Sequence, residues 1–553
     1  MQTPRSLLAA FVVYAGSLAA QTPAITGVVN GASALPPGLP NYAIAAGSIF
    51  VVYGSNLGAV VPGGAPVAPA TIPLPTSGLF GTSITVTVSG TSLPVPILYI
   101  SPSQLAGVMP SATPAGTGTL TVTYGGKSAT SPVTVLTSAF GISNLRIPSG
   151  HETAAMTFGT NPGELVTVID AAAPGDVVVL FGTGLGPANG GVDTSLPAPG
   201  NVGSARPTVF VGGAVSPNVT YYGRSPALPG LDQIIFTIPP NAPLGCHVSV
   251  VVETQNQGVP IVSNAPATAI AATDHTPCVD PVNAFPAQIL GLPVSANILG
   301  ISLMENQSFV PGAPGASVPS TPVITDTYQI LASQFTPNQF LGLSLNLAES
   351  TQGSCFAGFV PNVATPATLP AATYLDIGTG ITLTPPAGSP LMLPATAPGV
   401  FLGKDALGIP FGAWGFSSPG GANVGPLNFQ FPIAQPINWT NQSSLMTTPV
   451  TRANGLTITW TGGDFVNGYV DIQGFAANST GTYLVGYDCS APIQAGSFTI
   501  PPSILLRMPT GAGAFATLQV STFAYPFNTP SQEGFDAIVN FSQLQTIIPI
   551  VYQ

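Results

Sequence analysis

A strand-forming motif occurs twice in this chain, and the spacing of its copies limits the fold to tandem modules. Ala46-Gly47-Ser48-Ile49-Phe50-Val51-Val52-Tyr53-Gly54-Ser55-Asn56-Leu57-Gly58 is echoed by Pro174-Gly175-Asp176-Val177-Val178-Val179-Leu180-Phe181-Gly182-Thr183-Gly184-Leu185-Gly186. From Gly47 to Gly175 the offset is 128 residues, the size of one ordinary domain. A second block keeps the order, with Tyr99-Ile100-Ser101-Pro102-Ser103-Gln104-Leu105 answered by Leu231-Asp232-Gln233-Ile234. Each copy opens in a Gly turn, runs through a short apolar strand and closes in another Gly-rich turn, where positive φ carries no steric cost. Alternating runs such as Ser83-Ile84-Thr85-Val86-Thr87-Val88 and Leu120-Thr121-Val122-Thr123-Tyr124 give one face to a core and the other to water. Such strands between Gly and Pro turns predict an immunoglobulin-like β-sandwich for each copy.

Composition extends that reading to the whole chain. Only 5% of residues are charged, while Gly (64) and Pro (61) abound, which excludes long helices with charged outer faces. The 45% of apolar residues excludes a disordered chain, leaving an all-β protein. At 553 residues it is too long for one core and is expected to hold three or four modules.

Beyond Cys278, Ala296–Leu303, Phe340–Leu347 and Tyr374–Ile377 read as strands between Pro-rich turns, and Gly455–Gly463 and Ala495–Pro502 as later ones. This predicts a further β-sandwich region, as two packed layers or two small modules. The expected division is a signal peptide at 1–20, sandwiches at 21–139 and 140–272, a β-rich module at 273–435 and a C-terminal sandwich module at 436–553. The signal peptide is read from Arg5, the apolar stretch Leu7–Ala15 and small residues at Ser17, Ala19 and Ala20. Export to the cell surface or medium, without a transmembrane helix, is the expected location.

Two family resemblances follow. Pro174-Gly175-Asp176-Val177-Val178-Val179-Leu180-Phe181-Gly182-Thr183-Gly184-Leu185 is similar to the IPT/TIG immunoglobulin-like fold. Asn30-Gly31-Ala32-Ser33, Gly47-Ser48, Tyr53-Gly54-Ser55-Asn56-Leu57, Tyr99–Leu105 and Pro114-Ala115-Gly116 resemble a domain of secreted proteins of Solibacter-type Acidobacteria. The phrases around Trp414–Gly425 and Gly455–Gly463 resemble an uncharacterised C-terminal region of the same proteins. The resemblance implies sandwich folds and no catalytic residue or ligand.

Candidate chemistry is sparse. In an exported chain Cys246, Cys278, Cys355 and Cys489 are expected to form disulfides, and of three pairings Cys246–Cys278 with Cys355–Cys489 is favoured because each bridge stays within one region. No Cys-x-x-Cys knuckle supports zinc. His151, His247 and His275 are far apart, position 155 is Ala, and so no zincin motif forms. Asp464 and Asp471, near Trp460 and Tyr469, are the carboxylate pair to weigh for glycoside hydrolysis, although turn and strand-end positions explain them more simply. Gly182–Gly186 has the glycines of a phosphate cradle but no following Lys and no helix, and reads as a turn. Trp414, Trp439 and Trp460 are the candidates for stacking on a sugar face, with core packing the favoured role because Trp460 alternates with Ile458.

No cofactor or metal is expected. Eight Lys and Arg against 19 Asp and Glu give a net charge of −11, so no basic stripe forms and nucleic acid is excluded as a partner. The reading is a secreted or cell-surface non-enzymatic protein acting in adhesion, matrix or assembly, with a cell-surface protein or a polysaccharide as candidate partner. The alternative is carbohydrate binding through the C-terminal half.

Overall fold

The computed structural model describes residues 22–59, 65–146, 152–161, 163–187, 193–202, 205–279, 293, 295–311, 318–335, 350–361, 372–466, 468–510, 516–524, 527–528 and 534–553. The expected signal peptide, His151 and the strand read at Phe340–Leu347 lie outside the described residues.

The two motif copies are the central strands of two β-sandwiches. In the first, Ile49–Ser55 lies between Ala24–Asn30 and Gln104–Val108, with Ile97–Ile100 at the edge. The facing sheet runs Ile44–Ala45, Lys127–Leu136, Gly116–Tyr124, Thr82–Val88, Thr91–Pro94. Phe50, Val52, Ile84, Val86, Leu120 and Val122 meet between the sheets, one residue in two from each strand, as the alternation requires.

The second sandwich repeats this pairing. Val177–Thr183 lies between Met156–Phe158 and Asp232–Thr237, and Val52 opposite Leu105 is answered by Leu180 opposite Ile234. Tyr53 and Phe181 both hold the fifth position of their strands. Even the short parallel contact of Ile44 with Val135 returns as Ala172 with Ile270. The cystine Cys246–Cys278 closes this sandwich, as expected from sequence.

The boundary read at 435/436 does not divide the C-terminal half. One 14-stranded sheet takes strands from both sides of it, because Ala296–Ser308 runs parallel to Ala537–Pro549 over the register Ile298↔Ala537 to Ser308↔Ile547. Open twisted sheets of more than about ten strands curl or split, and this one serves two cores. One end is covered by a three-stranded sheet of Ile437–Trp439, Leu456–Gly462 and Ser497–Ile500, enclosing Ile458, Ile472, Tyr487 and Leu518. The other end folds back so that Trp414, Phe416 and Phe431 cover Ile301, Tyr328 and Phe401. Cys355 and Cys489 are direct cross-strand partners and form the second disulfide.

Candidate functional site: the seams between units

The repeated motif does more than build strands, because its two ends meet where the sandwiches join. Thr183, at the end of the second copy, accepts at Oγ1 from the backbone N–H of Ile49, at the start of the first (2.8 Å), and donates to the Gly230 carbonyl (2.6 Å). Asn30 accepts from Ala32 and Ser33 at Oδ1 while its amide donates to the carbonyls of Ala139 and Thr183 (3.2 Å each). Ser111 adds two bonds to the Asp193 carboxylate, 2.7 Å from its N–H and 2.5 Å from its hydroxyl.

Behind this seam Arg224 and Asp232 form an ion pair that is almost fully buried. The Arg224 guanidinium also donates to the Gly186 carbonyl (2.7 Å). Asp232 Oδ2 accepts from the N–H groups of Gly184 and Leu185, both at 2.8 Å. The Gly182–Gly186 turn therefore does cradle an anion, but the anion is the chain's own carboxylate. Burial pushes the Asp232 carboxyl up, and Arg224 and the two amides oppose that push. Gly47, at φ 75°, lies against this guanidinium with no room for a Cβ, which explains the glycine in the first motif.

A second seam joins all three units at Asn41, a non-glycine residue in the left-handed region (φ 64°) that Asn tolerates. Its amide donates to the Leu506 carbonyl (3.0 Å) in the C-terminal unit, and its Oδ1 accepts from Val262 (3.2 Å) in the second sandwich. Arg507 donates to the Ser263 carbonyl across the same joint. His247, whose imidazole pKa burial lowers, exchanges backbone bonds with Thr351, donating to Oγ1 at 3.0 Å and accepting from N–H at 3.3 Å. Ser249 and Ser354 pair beside it. Leu39, Val251 and Val262 are part of the C-terminal core, so apolar packing runs through the joint. A small pocket opens there, lined in part by Leu35, Asn41, Asn264, Phe359 and Arg507.

The three tryptophans do not serve as sugar platforms. Trp414, Trp439 and Trp460 are 2%, 9% and 3% exposed, and each indole N–H is used, by Pro410 O, Asn441 Oδ1 and Ile493 O respectively, all at 2.8 Å. Large aromatic rings fill sandwich cores, and here Trp439 and Trp460 face one another across a strand pair. The carboxylate pair is not assembled as a site either. Asp464 organises a turn by accepting from Val466 N–H (2.9 Å), whereas Asp471 is buried within the sheet opposite Ser490 and Ser521.

Sequence reasoning missed a row of three acids, Glu305, Asp326 and Asp405, that stand directly opposite one another on adjacent strands. The turn after Asp405 caps them: Leu407 N–H donates to Asp405 (3.2 Å), Gly408 N–H to Asp326 (2.7 Å) and Ile409 N–H to Glu305 (2.7 Å). Burial first, then the hydrogen-bonding Asp405 carboxyl, push Asp326 up to about 6, against the pull of the Gly408 amide. The folded chain thus keeps a proton that the unfolded chain releases. The stability due to this group is full below about pH 4 and is lost as pH rises through about 6. Asp326→Asn, a neutral mimic of the protonated acid, is expected to stabilise the chain by about 1–3 kcal/mol at pH 7.5 and to change little at pH 4. Urea unfolding at both pH values checks this, and an equal change at both, or a loss at pH 7.5, would contradict it.

No protein-family model matches the chain and no curated protein matches it. Among solved structures it is similar to tandem immunoglobulin domains. The titin pair A164-A165 shares 12% identity over 45% of this chain and 96% of that one, with a TM-score of 0.13. Sidekick-1 immunoglobulin domains 1-4 share 12% over 96% of this chain and 99% of that one, with a TM-score of 0.11. A structural genomics protein of unknown function from Bacteroides thetaiotaomicron VPI-5482 shares 10% over 57% of this chain and 58% of that one, at 0.15. TM-scores this low carry no argument, and the immunoglobulin-like fold rests on the strand pairing of the chain itself.

Proposed function

We propose that the protein is an exported, non-enzymatic scaffold that acts in adhesion or assembly at the cell surface or in the extracellular matrix. The observation that carries the reading is the construction of the seams. Asn30, Thr183, Asn41 and Arg507 bond across the places where units join, so buried polar groups that are costly to leave unpaired fix one module against the next. A surface built from units held in fixed relation suits a structural partner. The two disulfides support an oxidising compartment, and the resemblance of the first sandwich to a domain of secreted Acidobacteria proteins agrees with it.

The test is a pull-down of the purified mature chain on cell walls and intact cells, beside a glycan array and assays on glycoside, ester and peptide substrates. Retention on cells or walls, with no turnover, is expected. Hydrolysis that Asp464→Asn or Asp471→Asn abolishes in folded protein would overturn the reading.

A further inference from the structure

Glu164, Asp170 and His275, more than 100 residues apart at the extremes, converge on one side of the second sandwich. Their donor atoms all lie within 4.8 Å of one another. His275 Nδ1 is 2.9 Å from Asp170 Oδ1 and 3.7 Å from Glu164 Oε1. Around an ion with metal–ligand bonds of about 2.0–2.2 Å, neighbouring donors are separated by about 3.0 Å in octahedral and about 3.4 Å in tetrahedral geometry. The two separations from His275 bracket those values, and the two carboxylates, whose donor atoms are within 4.8 Å of each other, must close toward one another to complete the set around a cation.

We propose that these three side chains form a surface binding site for a divalent transition cation of the zinc class. The imidazole selects against calcium and magnesium, which take oxygen ligands, while the two carboxylates supply the charge. Neither carboxylate has a Lys or Arg within ion-pair distance among the described residues, so a bound cation would relieve their repulsion.

The first ligand sphere is held from outside. The imidazole stacks on Phe158, with ring centroids 4.1 Å apart. Asn161 Nδ2 donates to Glu164 Oε2 (3.2 Å), leaving Oε1 toward the site. The His275 segment is fixed by backbone bonds His275 N–H to Ala171 O (3.0 Å) and Cys278 N–H to Val168 O (3.0 Å), and by the Cys246–Cys278 disulfide three residues on. Three protein ligands leave coordination positions open, so the ion can take a further ligand from a partner's surface.

Titration of zinc alone into chelator-treated mature protein at pH 7.5, followed by calorimetry, tests the site. One equivalent is expected to bind, with affinity at least tenfold weaker in His275→Ala and in Asp170→Asn, and calcium is not expected to displace it. Circular dichroism reports that each variant is folded, and an anomalous difference map of zinc-soaked crystals locates the ion independently of affinity. Absence of binding at millimolar zinc, undiminished binding in both folded variants, or an ion located elsewhere would overturn the proposal.

Discussion

Replacing Arg224 by Met is expected to destabilise the second sandwich by about 3–5 kcal/mol at pH 7.5, because it strips the one cation that pairs, among the described residues, with a carboxylate fully shielded from solvent. The Asp232 side chain keeps its two amide donors, Gly184 and Leu185, but those do not replace a full charge. Protonation of Asp232 then becomes the cheaper state, so the loss should shrink as the pH is lowered toward 4.5. That sign follows from the raised carboxyl: a folded state that holds a proton more tightly than the unfolded one gains stability on acidification. The double variant Arg224→Met/Asp232→Leu should recover part of the loss and no more, since the two amides lose their acceptor. Chemical unfolding followed by far-ultraviolet circular dichroism measures all three proteins. A loss below about 1 kcal/mol for Arg224→Met, or one independent of pH, would show that the pair does not hold the second sandwich together.

Removing the Cys355–Cys489 bridge by paired Ala substitution is expected to cost about 2–5 kcal/mol, and more than removing Cys246–Cys278. The ranking follows from chain entropy: the bridges span sequence separations of 134 and 32, and the unfolded chain gains more freedom when the longer loop is released. The longer bridge also ties the edge strand Cys355–Pro361 to Tyr483–Pro492, its neighbour in the 14-stranded sheet. The three buried tryptophans all lie in this unit, so near-ultraviolet circular dichroism reports its melting directly. A greater loss from the Cys246–Cys278 variant would contradict the entropic account.

Much of the fold was legible because its signals are local. Gly turns flanking Ile49–Ser55 and Val177–Thr183, and strict alternation in Thr82–Val88, are properties of neighbouring residues, and the 128-residue offset survives as strand-for-strand equivalence. The C-terminal sheet was not legible to the same degree. The parallel pairing of Ala296–Ser308 with Ala537–Pro549 joins segments about 240 residues apart, and no turn or spacing in the sequence announces it. The sites divide the same way. Trp460 shows its inward position through alternation with Ile458. The meeting of His275 with Glu164 and Asp170, or of Glu305 with Asp326 and Asp405, arises only from register across folded strands and loops. Asp232 is a related case: Gly182–Gly186 read as a plain turn, and only the fold showed that it cradles an anion, the carboxylate 46 residues further on, counted from Gly186.

The claim that seams fix the units into one body is tested most directly by distances between spin labels placed across them. All four cysteines are in disulfides, so labels attach only at introduced sites. Thr87→Cys, Thr220→Cys and Thr384→Cys, taken in pairs, place exposed labels on the first sandwich, the second sandwich and the C-terminal unit. Electron–electron double resonance should give one narrow distance distribution for each pair. Broad distributions across the seams of the parent protein would contradict the account.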